Sequence, residues 1–109
     1  MSIDQLDKID IISTKPNGEV QLTIADHYNW ENEGEHLLLL QDKINSYLQF
    51  IEQGEIFEKY PTAKMSQITI ETIFKFEPTD DAIAFLNIAK EIIEKLGIGF
   101  GWGTHNPNS

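Results

Sequence analysis

Residues Ser66 to Phe76, SQITIETIFKF, alternate apolar and polar side chains over the whole segment. Ile68, Ile70, Thr72, Phe74 and Phe76 share one face, while Gln67, Thr69, Glu71, Ile73 and Lys75 share the other. A strand with one apolar face needs cover on that face only, which points to a sheet with helices stacked on one side. Two further segments suit strands, Ile9 to Thr14 and Glu19 to Ala25. In the second, Val20, Leu22 and Ile24 alternate with Glu19, Gln21 and Thr23. The intervening Lys15-Pro16-Asn17-Gly18 reads as a tight turn. Pro16 presets φ and Gly18 can take a positive φ, so the two strands are expected to form an antiparallel hairpin.

Helix signals fill the remaining spaces. Asn32 suits an N-cap with Glu35 in capping-box register, and Glu33 and Glu35 sit where the helix dipole favours acids. Leu37, Leu40, Ile44, Tyr47, Leu48 and Ile51 then recur at helical spacing until Gly54, and Glu55 to Tyr60 can add one more turn. Thr79 caps a second long helix with the stripe Ala82, Phe85, Leu86, Ala89, Ile92, Ile93 and Leu96, closed by Gly97. Ile98 to Gly103 alternates glycine with large apolar residues and suits a short last strand. The expected fold is α+β, a two-layer sandwich in the order β-β-α-β-α with a possible C-terminal strand. One domain is expected over residues 1–103, followed by a frayed tail over 104–109. The expected core is Leu22, Ile24, Leu40, Ile44, Leu48, Ile70, Phe74, Leu86, Ala89 and Ile93.

Composition narrows the function classes. With 109 residues and 40% hydrophobic residues the chain can build a real core. It has no cysteine, which excludes disulfides, cysteine-ligated metal centres and a cysteine nucleophile. Eight basic residues stand against 18 acidic ones, a formal charge of −10, so nucleic acid is not an expected partner. The amino terminus lacks the basic and apolar regions of a signal peptide. Apolar runs such as Leu37 to Leu40 fall far short of the ~20 residues that cross a bilayer. A cytoplasmic protein with no membrane contact is the expectation.

The densest polar cluster is Asp26-His27-Tyr28-Asn29-Trp30-Glu31-Asn32-Glu33-Gly34-Glu35-His36. His27, Glu33 and His36 are the candidate metal ligands, and Glu33 with His36 has the i, i+3 spacing of helical carboxylate–histidine sites. The second long helix offers Glu91 and Glu94 but no histidine to complete a two-metal site. Helix capping accounts for the same acids without a metal, and is the preferred reading. No Gly-x-Ser-x-Gly elbow and no phosphate-cradling glycine loop is present, so no catalytic residue is assigned and no cofactor is expected.

A combination of motifs adds a family likeness. Ile24-Ala25-Asp26-His27 is followed by Trp30, then Glu35-His36-Leu37-Leu38-Leu39-Leu40-Gln41-Asp42-Lys43-Ile44-Asn45 and Tyr47, Glu52-Gln53-Gly54-Glu55, and Tyr60-Pro61. Together they resemble a family of small acidic bacterial proteins catalogued as a domain of unknown function, over about Ile9 to Gly97. The resemblance implies a small cytoplasmic bacterial protein and transfers no activity or catalytic residue.

The expected role is a non-enzymatic protein-interaction module that self-associates as a weak homodimer through the edge or outer face of its sheet. Ile12 and Ile73, apolar on an otherwise polar face, and the tail residues Phe100 and Trp102 are the interaction candidates. Repulsion between two chains of this charge should make association strengthen as salt rises. One alternative is an immunity or antitoxin-like protein that masks a basic toxin, which charge complementarity would favour. The other is a metal- or carboxylate-dependent enzyme.

Overall fold

The computed structural model describes residues 11–61 and 67–104. Ile9 and Asp10, Ser66, and tail residues 105–109 lie outside the described residues. The elements are β1 (Ile11–Thr14), β2 (Val20–Asp26), α1 (Glu33–Glu52), a single helical turn α2 (Glu55–Lys59), β3 (Ile68–Phe74), α3 (Asp80–Lys95) and β4 (Gly99–Thr104). This is the expected α+β order with the C-terminal strand present. β4 runs through Thr104, one residue into the segment expected to fray.

Local chemistry sets the boundaries. In the hairpin turn Gly18 takes φ +92°, its N–H donates to Lys15 O at 2.9 Å, and Asn17 Oδ1 accepts from Glu19 N–H at 3.0 Å. Asn32 Oδ1 accepts the Glu35 N–H at 3.4 Å, and the Asn32 amide donates back to Glu35 Oε2 at 2.8 Å. Thr79 Oγ1 accepts from Ala82 N–H at 3.1 Å at the start of α3. α3 ends in a Schellman motif: Gly97, at φ +87°, donates to Glu94 O at 3.0 Å and Ile98 donates to Ile93 O at 3.4 Å. Ile98 and Ile93 are both buried, which supplies the apolar contact that accompanies this cap.

The sheet order is β1-β2-β3-β4, with β1 antiparallel to β2 and the other two pairings parallel. The crossovers through α1 and α3 each move one strand in the same direction. Connections of one hand then place both helices on the same face. The register aligns Ile12, Leu22, Ile70 and Phe100 in one row, and Ile24, Thr72 and Trp102 in the next. Leu40, Ile44, Tyr47 and Ile51 of α1 and Leu86 and Ile93 of α3 join Leu22, Ile24, Ile70 and Phe100 in one core cluster, against which Ile12 and Trp102 pack.

Of the expected core, Leu48 and Ala89 are only partly buried and pack against that cluster; the rest are buried. Phe50, off the main stripe by sequence, is also buried. Ile92 and Leu96 depart from expectation and lie 55% and 43% exposed. The apolar arc of α3 extends beyond what the sheet beneath it can cover. Lys43 is fully buried on α1, its Nζ 5.5 Å from the centre of the Tyr47 ring, while Tyr47 Oη donates to Thr23 O at 2.9 Å.

Candidate functional site

The polar cluster between β2 and α1 folds around a buried carboxylate–imidazole pair. Asp26 closes β2, at the carboxyl end of a strand paired in parallel with β3. His36 lies in the first turns of α1. Their side chains meet at 2.6 Å, Asp26 Oδ2 to His36 Nε2, with both side chains almost fully removed from solvent. Asp26 Oδ1 accepts the Tyr28 N–H at 3.1 Å, an Asx-type turn that starts the loop.

The other ring nitrogen is also engaged, because His36 Nδ1 lies 2.9 Å from Asn29 O. A carbonyl oxygen can only accept, so Nδ1 must carry a proton and donate it. One further proton then lies between Nε2 and Oδ2, on the ring or on the acid. The pair is neutral overall in either arrangement. Burial pushes the Asp26 carboxyl up from its ordinary value, while the His36 hydrogen bond and charge and the Tyr28 N–H act in the lowering direction.

Aromatic rings close the site. The Trp30 ring stacks on His36 at 3.7 Å and 20°, and its Nε1 donates to Phe76 O at 3.3 Å. Phe74 of β3 lies 5.9 Å from Trp30, and Tyr28 presents its edge to His36 at 6.0 Å. Tyr28, Asn29, Asn32, Glu35, His36 and Leu39 line a small crevice beside the pair.

This geometry constrains the chemistry. A histidine that acts as a general base uses one nitrogen for an orienting carboxylate and keeps the other for the reacting proton. In His36 that second nitrogen is held by Asn29 O, and no lone pair faces the crevice. The pair therefore fastens the loop to the end of β2 and the start of α1.

His27, Glu33 and His36 do not converge. His27 is exposed and stacks on Tyr28 at 4.9 Å, Glu33 is half-exposed in the first turn of α1, and His36 is buried against Asp26. Among the described residues no group of three or more His, Cys, Asp or Glu side chains is placed to hold a metal ion. The four interaction candidates also separate. Ile12 pairs with Leu22 and so faces the core, because residues directly opposite on antiparallel strands share a face; Ile11, opposite Thr23, takes the outer position. Phe100 is buried in the core and Trp102 packs against it. Ile73 alone stands on the open face, half-buried beside Ile11, Ala25 and Phe76. Sequence reasoning named His36 but missed its pairing with Asp26. The available signal was an acid at the end of a strand, followed by a histidine among apolar residues.

The model of a family of unknown function, DUF6572, matches residues 1–106, nearly the whole chain. The chain is a member of DUF6572. No curated protein and no solved structure matches it. Of the motif residues quoted above, this DUF6572 chain joins Asp26 and His36 in the buried pair and stacks Trp30 on it. Among its described residues no helix is long and apolar enough to cross a membrane.

Proposed function

We propose that this DUF6572 protein is a non-enzymatic protein-interaction module. One observation carries the reading: α3 leaves Ile88 61% and Ile92 55% exposed, on the flank where Phe85 is only partly buried. A contiguous apolar stripe on a helix surface marks a contact site more often than an idle one. Two features of the polar cluster support the same reading. Asn32 caps α1 with Glu33 and Glu35 in its first turn, and His36 is held at both nitrogens.

Native mass spectrometry after gentle purification from the cell of origin tests the proposal. The expected result is the 12.5 kDa chain carrying at least one more protein chain, of its own kind or another, at stoichiometric amount. The Ile88→Asp variant should release it, since a carboxylate on the contact face must be desolvated without a partner. A lone chain in the unaltered preparation would contradict the reading.

A further inference from the structure

We infer that the partner of the α3 flank is a second copy of the chain, bound helix to helix and antiparallel about a two-fold axis at Ile88. The inference rests on the interaction-module reading and names its partner. Asp81, Phe85, Ile88, Ile92 and Lys95 follow one another at steps of four, three, four and three residues. That spacing places them in one stripe along α3, the pattern of a helix seam. Asp81, Ile88, Ile92 and Lys95 are exposed and Phe85 is partly buried, so the stripe is distinct from the buried Ala82, Leu86 and Ile93 that meet the core.

The stripe complements itself when reversed. Setting Ile88 against Ile88 of a second copy brings Phe85 beside the other chain's Ile92 and Asp81 opposite its Lys95. A two-fold axis repeats both contacts, which gives two opposite-charge pairs at the ends of an apolar centre. The acid at the start of α3 and the lysine at its end also suit the helix dipole. A self-complementary patch is what a two-fold dimer requires. Beside the stripe runs a groove between the helices, walled by Ile44 and Leu48 of α1 and by Phe85, Ile88 and Ile92 of α3, with Gln41 and Asn45 as its polar lining. Among the described residues no charged one lines it, so a second helix can approach without burying an unpaired charge. The open sheet face is a poorer seat for a second copy, because Glu71 stands beside Ile73 there.

Charge reversal tests the pairing. Sedimentation equilibrium should find a concentration-dependent dimer of the unaltered chain. Asp81→Lys alone and Lys95→Asp alone should each weaken it by ~10-fold or more, since each change converts two attractions into two repulsions. The double variant should regain most of the loss. Both positions are exposed, and unchanged circular dichroism would show that the fold is intact. A dimer that ignores the single changes, or a double variant as weak as either single, overturns the antiparallel pairing. A chain that stays monomeric yet retains a different protein through Ile88 overturns the second copy as partner and leaves the interaction reading standing. A monomer that retains nothing defeats both.

Discussion

Truncation of His36 to alanine is expected to destabilise the fold by about 3–5 kcal/mol at neutral pH. The change leaves the Asp26 carboxylate buried without the imidazole that faces its Oδ2, and removes the ring on which Trp30 stacks. The loss should shrink on acidification, because a protonated Asp26 needs no cation beside it. The sign follows from the upward shift of Asp26, caused first by burial. A raised folded pKa means that the stability contributed by this group is complete below the ordinary value of 3.8 and is lost as pH rises through the raised one. Asp26→Asn should behave differently. Its Oδ1 still accepts from Tyr28, and its amide donates to the Nε2 of a neutral ring whose Nδ1–H stays on Asn29. A cost within about 1 kcal/mol and a flatter pH dependence are expected. Urea unfolding of both variants across pH checks this. Equal, large losses would mean that the pair must carry separated charges.

Phe74→Ala is expected to cost about 3–5 kcal/mol, as a large cavity opens in a tightly packed core. Phe74 is 1% exposed at the end of the central strand β3 and touches the core on one side and Trp30 on the other. Because Trp30 also covers His36, the His36 and Phe74 changes share a neighbour, and their combined cost should fall short of additivity. A loss below 1 kcal/mol from Phe74→Ala in chemical unfolding would mean that β3 presents its other face to the helices.

The parts of this fold governed by neighbouring residues could be read directly. The Pro16-Asn17-Gly18 turn, the Asn32 and Thr79 caps, the Gly97 stop and the alternation of Ile68 to Phe74 each follow from chemistry within a few residues. The face of β1 did not, because Ile11 and Ile12 are both apolar and four residues contain too little alternation to choose between them. Only the register with Leu22 decides it. The exposed flank of α3 was hidden for a related reason: Ile92 and Leu96 fit the helical period, but the sheet is too narrow to cover the full arc. The Asp26–His36 pair is harder to read, because capping already explains the neighbouring acids and only the chain's return from β2 into α1 aims Asp26 at His36. Capping accounts for Glu33 and Glu35, while the buried pair accounts for Asp26 and His36.

In the proposed dimer α3 meets α3 of a second copy across Ile88. Because the chain has no cysteine, one introduced thiol reports a contact without ambiguity. Ile88→Cys should oxidise in air to a disulfide-linked dimer, since the two-fold axis brings the two thiols together. Ile83→Cys, also exposed (37% against 61% at Ile88) but turned away from the stripe, should remain a single chain on a non-reducing gel. Equal cross-linking at both positions, or none at Cys-substituted Ile88 at concentrations where the protein is dimeric, would contradict the account.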